Sequence, residues 1–159
     1  MILYHGSNEE VTRPRLMPMA RALDFGQGFY LTSDFEQAAK WARTTVLRRE
    51  CGEATVSVFE IEDAKFLELK RMAFDGPTAE WLRFVTRNRI HRIDDSGCDV
   101  VSGPVANDNT MPVLNLYFKG AYSEEDAIKR LLTQKLRDQF AFKTEVALSG
   151  LKFVKAVKV

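Results

Sequence analysis

Tyr4-His5-Gly6-Ser7 and, some two dozen positions later, Asp24-Phe25-Gly26-Gln27-Gly28-Phe29-Tyr30-Leu31-Thr32 hold residue types suited to one chemistry. A His and a Tyr, each beside glycine on a short apolar run, can form two walls of a pocket for nicotinamide and its ribose. Cleaving the bond between them passes through an oxocarbenium-like state, so the leaving amide must be held and the sugar gripped by its hydroxyls. Glycine lets backbone N–H and C=O groups approach a carboxamide closely. Gly6 is the candidate for that contact, and Gly28 lies beside the second wall. The His5 imidazole can donate to or accept from a ribose hydroxyl, and Tyr30 offers a flat face for stacking. Each piece alone has a plainer reading: His-Gly-Ser as a turn, Gly26-Gln27-Gly28 as a loop-to-strand bend. The ordered combination points to a site that consumes NAD.

These residues need strands to carry them. Residues 1–6 read as a short strand, followed by a loop from Ser7 to Gly28 and a second strand over 28–32. Ser33 and Asp34 are good N-caps for a helix over 34–50, in which Phe35, Ala38, Trp41, Ala42 and Val46 keep helical spacing. Gly52 stops it. Thr55 to Ile61 alternates as a strand with an irregularity at Phe59, and a further strand is expected over 65–70. A helix over 77–90, with Pro77 near its first turn, offers Trp81, Phe84 and Val85 for burial. Cys98 to Val101 reads as a strand ended by Ser102-Gly103-Pro104, and Asn107-Asp108-Asn109 as a turn. Met111 to Phe118 and the stretch opened by Ser123-Glu124-Glu125-Asp126 read as helices. Gln139 to Lys143 is a strand, Glu145 to Gly150 a helical turn or two, and Phe153 to Val159 a closing strand. Strands and helices mix without a regular βαβ repeat, so the class is α+β, in one domain spanning 1–159.

Composition narrows the function. Hydrophobic residues make up 45% and charged residues 28%, ordinary for a globular protein. The net charge of +1, from 23 basic and 22 acidic side chains, gives no overall field to draw in nucleic acid or an anionic membrane. No apolar run reaches the roughly 20 residues needed to span a bilayer. Met1-Ile2-Leu3-Tyr4 runs directly into the motif strand, so no leader is expected and the cytoplasm is the expected location. Cys51 and Cys98 fit no zinc or redox spacing and read as small residues in or near the core. His91 has no partners at ligand spacing, so no metal is expected. Gly26 and Gly28 lack the third glycine and following helix of a dinucleotide fingerprint, which excludes a Rossmann site.

The chain resembles bacterial ADP-ribosyltransferase-like proteins of the His–Tyr–Glu/Gln branch. It looks most like a small family catalogued as a domain of unknown function and found in toxin–antitoxin-like gene pairs and phage-defence settings. The matching pieces are Leu3-Tyr4-His5-Gly6-Ser7 with Val11 and Pro14, the Asp24 to Thr32 segment, Gln37-Ala38 with Trp41-Ala42, Asp99 to Asp108, and Gln139 to Thr144 leading into Ala147-Leu148. The resemblance implies split antiparallel sheets flanked by helices around an NAD cleft. It implies that Gly6 presents its backbone to the nicotinamide amide, His5 holds a ribose hydroxyl and Tyr30 stacks on the ring. Gln139 falls where the branch places its third residue, a Glu in many active transferases, whose carboxylate bonds the ribose 2′-hydroxyl and offsets developing positive charge. Gln keeps the hydrogen bond without the charge. On that basis Gln139→Glu is expected to keep or raise NAD cleavage and Gln139→Ala to lower it. Asp138 points to the opposite face of the strand and Glu145 opens a helix, so neither is preferred.

By resemblance the activity is mono-ADP-ribosyl transfer from NAD to a protein or nucleic acid acceptor, by a toxin with a cognate antitoxin. Transfer to a small molecule, as in drug-inactivating enzymes of similar size, and a non-catalytic NAD-binding or partner-binding module are the alternatives. Arg13, Arg15 and Arg21 lie in the long loop, and Arg21 is taken as the partner of the NAD pyrophosphate. Arg83, Arg87, Arg89, His91 and Arg92 form a basic cluster that reads as a solvated helix end or a contact for RNA or an acidic protein. Trp41 and Trp81 read as core.

Overall fold

The structure, a computed structural model, describes residues 1–18, 22–94, 96–107 and 109–159. Two sheets carry the molecule, an α+β arrangement with six α-helices among the described residues. In the first, β1 (Ile2–Ser7), β3 (Thr55–Glu60) and β7 (Lys152–Lys158) run antiparallel in the order β1-β3-β7. The second has the order β2-β6-β5-β4, from β2 (Phe29–Leu31), β6 (Asp138–Phe142), β5 (Val100–Pro104) and β4 (Arg71–Ala73). It is mixed, because β4 runs parallel to β5. A parallel pair needs a crossover, and the chain between Ala73 and Val100 supplies one through α3 (Ala79–Thr86) and a π-helical turn at Arg87–His91.

The helix that shapes the site is α1 (Phe35–Arg49). Asp34 caps it, its Oδ1 accepting from Gln37 N at 2.9 Å. Glu50 ends it in the left-handed region at φ 54°, and Gly52 at φ 81° turns the chain into β3. Ala38 and Ala42, both fully buried, put a side-chain-poor stripe of α1 against β1. The stripe meets Gly6, where an added Cβ would lie 1.9 Å from Ala38 O and 2.8 Å from Ala42 N. Helix and strand therefore touch backbone to backbone.

Several expected elements stand where the sequence puts them, including the irregularity in β3, where the register with β7 shifts between Val58 and Phe59. Others differ. The strand expected over 65–70 is instead α2 (Asp63–Glu68), and the strand follows it as β4. Phe66 N donates to Glu62 O at 2.9 Å in a helical turn that ends where Leu69 becomes extended; Phe66 and Leu69 pack on the core while Leu67 is exposed. Strand β5 runs on through Ser102-Gly103-Pro104, pairing with Phe140, Gln139 and Asp138. Gly103 permits this, since a Cβ there would lie 2.9 Å from Phe74 Cβ. The expected single helix over 77–90 splits into α3 and the π turn. Trp81 is fully buried, its Nε1 donating to Pro104 O at 3.0 Å. Trp41 is only half-buried and stands in the wall of the cleft, and Cys51 is exposed where Cys98 is buried.

The remaining helices are α4 (Met111–Phe118), α5 (Glu124–Leu131) and α6 (Glu145–Ser149). Leu114 of α4 and Ala127 and Leu131 of α5 join Trp81 and Phe25 in one core behind the second sheet. A second core joins Leu3, Leu31, Phe59 and Phe142 between the sheets. Among the described residues no helix is long and apolar enough to cross a membrane.

Candidate active site

The cleft opens where the two sheets part. Tyr4 N donates to Thr32 O at 2.8 Å and Thr32 N to Tyr4 O at 3.0 Å, the main-chain bridge between the sheets. Continuing that antiparallel register would set Gly6 opposite Tyr30. There the strands diverge, and the His5 side chain spans the gap with Nδ1 2.8 Å from Tyr30 O. Backbone groups of alternate residues point to the same edge of a strand. Those of Gly6 therefore face the cleft, as those of Tyr4 face Thr32. The cavity has a volume of about 860 Å³ and is lined by His5, Gly6, Gly28, Tyr30 and Gln139, among others.

His5 is held in one tautomer. Tyr30 O can only accept, so Nδ1 carries the proton and the neutral ring keeps a lone pair on Nε2. The ring stacks on Phe29, centroids 4.2 Å apart at 23°. Burial lowers its pKa below the ordinary 6.5, the bond to Tyr30 O opposes this, and the charge of Arg49 adds to it. An unfolded chain then binds the His5 proton at higher pH than the folded one, so stability attributable to neutral His5 is present near pH 7 and fades as pH falls below about 6.5. The melting-temperature difference between the parent and His5→Gln is expected to be constant above about pH 7 and to shrink as pH falls below about 6.5. A difference that widens on acidification would show that the buried ring is charged.

Tyr30 turns its hydroxyl away from solvent. It donates to Gly26 O at 2.8 Å and accepts from Phe25 N at 3.1 Å. Burial, and then the charge of Asp24, push the phenol far above its usual range, so it stays protonated, and the two hydrogen bonds hold the ring in place. Gln139 is buried at 3% exposure, with Nε2 donating to Asp24 Oδ2 at 2.7 Å and to Pro104 O at 3.2 Å. Asp24, also 3% exposed, takes Arg89 Nε on Oδ1 at 2.5 Å and Ala106 N on Oδ2 at 2.8 Å. A buried carboxylate needs such compensation. Lys143 Nζ completes the setting of this loop, donating to Phe25 O, to Gln27 O at 2.8 Å and to Asp94 Oδ2 at 2.7 Å.

A family described as "Protein of unknown function (DUF3990)" matches residues 1–153. The chain belongs to the DUF3990 family. Searches of curated proteins and of solved structures each returned no match.

In this DUF3990 protein the structure brings His5, Gly6, Gly28, Tyr30 and Gln139 to one cavity, from both sheets. Arg21 lies outside the described residues, whereas Arg13 and Arg15 line the cavity mouth. Lys40, Trp41, Thr44 and Arg48 extend the wall along α1. The Asp99 to Asp108 segment, described as far as Asn107, forms the back of the site: Pro104 O and Ala106 N clamp Gln139 and Asp24. Asp99 itself is structural, accepting from Thr144 Oγ1 at 2.7 Å and Lys70 N at 2.9 Å. Asp138 points away, accepting from Thr32 Oγ1 at 2.8 Å and Ser33 N at 2.9 Å, and Glu145 opens α6.

Two residues escaped the sequence reading. Asp24 was part of a motif but had no assigned role, and Arg89 belonged to a basic cluster taken as a surface feature. The cluster is dispersed: Arg83 forms an exposed two-pronged pair with Glu124, at 2.7 Å for each contact, while Arg89 turns inward. Leu82, Val85 and Arg89 fall on one helical stripe, and a cation on an otherwise buried stripe was the available signal for a buried acid. Among the described residues no group of three or more His, Cys, Asp or Glu side chains gathers to hold a metal.

Proposed function

We propose that this protein is an NAD-dependent mono-ADP-ribosyltransferase with the fold of that class, transferring ADP-ribose to a macromolecule. The observation that carries the reading is the convergence of His5, Tyr30 and Gln139, from three strands in two sheets, on one cavity of about 860 Å³. In this reading the carboxamide lies against the cleft-facing backbone of Gly6, and nicotinamide stacks on the fixed ring of Tyr30. The Nε2 lone pair of His5 and the Oε1 of Gln139 accept from ribose hydroxyls. As the C1′–N bond breaks, its electron pair leaves with nicotinamide, and a nucleophile on the acceptor bonds C1′ and gives up its proton. Positive charge building on the ribose is met by these acceptors. The basic wall from Arg13, Arg15 and Arg48 suits the pyrophosphate.

Expression toxicity in the cytoplasm, relieved by a cognate antitoxin, is the biological form of this proposal. The test is incubation with NAD labelled in the adenosine half, with and without cell lysate. Labelled protein or nucleic acid, and nicotinamide release reduced by His5→Ala and Tyr30→Ala by about 100-fold or more, is the expected result. Label on a small molecule would instead identify a drug-inactivating type. The second reading, a module that binds NAD without turnover, is favoured by the uncharged Gln139, and binding with no release would establish it.

A further inference from the structure

We propose that Asp24 is a positioning residue that acts through Gln139, turning the amide oxygen of Gln139 toward the reacting ribose; this rests on the NAD-cleaving reading. A glutamine amide can sit two ways round, and its neighbours choose between them. The two atoms at the inner end of Gln139 are Asp24 Oδ2 at 2.7 Å and Pro104 O at 3.2 Å. Both are acceptors without a proton, so only the NH₂ fits there. Oε1 is left on the other side of the amide. It meets no donor among the described residues, and Gln139 lines the cavity.

Asp24 holds its place because Arg89 Nε and Ala106 N anchor its two oxygens. Its charge does more than orient. A carboxylate bonded to an amide N–H polarises that amide and raises electron density on the amide oxygen. Asp24 and Gln139 together thus supply part of what a single carboxylate would bring to the developing cation. The acidic partner stands in the cavity wall beside Gln139, with both of its oxygens already taken by Arg89, Ala106 and the amide itself.

The test compares Asp24→Asn, Gln139→Ala and the double variant in nicotinamide release from NAD, together with ¹H–¹⁵N spectra of the Gln139 side-chain amide. Asp24→Asn is expected to lower kcat about tenfold or more while KM moves less than about threefold, since the oriented oxygen acts in the transition state. In the Gln139→Ala background the same change is expected to lower kcat by less than about twofold, because no amide remains to orient. The Gln139 NH₂ resonances are expected to shift and exchange faster in Asp24→Asn. Should Asp24→Asn fail to fold, Arg89→Gln loosens the same carboxylate without removing it, with a smaller fall in kcat that again vanishes in Gln139→Ala. Additive losses in kcat, or amide resonances that do not move, overturn the assignment. If the parent releases no nicotinamide, the NAD-cleaving reading fails, and the amide spectra alone decide whether Asp24 sets the orientation.

Discussion

Gln139→Glu is expected to impair the protein rather than restore a more active form. By resemblance to the His–Tyr–Glu/Gln branch, a glutamate at this position looks like a gain, since it supplies the charge expected of many active transferases. The partner across the hydrogen bond reverses that expectation. The Gln139 Nε2 donates to Asp24 Oδ2 at 2.7 Å, and both side chains are 3% exposed. A second carboxylate there would face the first, lose the bond to Pro104 O, and be forced to share a proton. Placing such an uncompensated charge in a buried network costs about 3–5 kcal/mol. The new carboxyl would have its pKa raised on folding, so the deficit is smallest at low pH and grows as pH rises toward neutrality. Denaturant unfolding of parent and variant at about pH 4.5 and pH 7.5 measures this directly. Equal stability at both pH values, with undiminished nicotinamide release, would mean that Asp24 and residue 139 are not in contact.

Gly6→Ala is the other change expected to act severely. Its methyl group would lie 1.9 Å from Ala38 O and 2.9 Å from Ala38 C, and 2.8 Å from Ala42 N. These are backbone atoms of α1, so no rotamer change relieves the clash. Core overpacking ordinarily costs about 1–3 kcal/mol, and a clash against helix backbone should reach or exceed the upper end. Either α1 lifts from β1 or the variant fails to fold, and a melting temperature within about 2 °C of the parent would contradict the packing described. The same residue carries two demands, a cleft-facing backbone and room for a helix. Loss of activity in a Gly6 variant therefore says nothing about ligand contact until its fold is checked.

Much of the framework was legible in the amino acids because it rests on local rules. Asp34, Ser123 and Thr144 each cap a helix through a main-chain N–H three residues on, as their types predict. Strands β1, β3, β6 and β7 stand within a residue of where the sequence puts them, and the break in β3 falls at Phe59 as expected. Where the pattern was ambiguous, packing decided. Phe66 packs on the core from a helical turn and Leu69 from the extended residue that ends it, in a segment that also reads as a strand. The parallel pairing of β4 with β5 depends on which edge a crossover reaches, and no local signal carries that.

The candidate site divides in the same way. His5, Gly6, Gly28, Tyr30 and Gln139 were nameable from residue type, order and a family resemblance, and the structure brings all five to one cavity. What each atom does was decided by neighbours far along the chain. The His5 tautomer depends on Tyr30 O, 25 residues away. The orientation of the Gln139 amide depends on Asp24, 115 residues away, and Asp24 in turn on Arg89, 65 residues away. A sequence specifies which groups are present and which short segments carry them. Protonation, amide orientation and burial of charge follow from through-space contacts in a medium that screens poorly, so they exist only once the two sheets have come together.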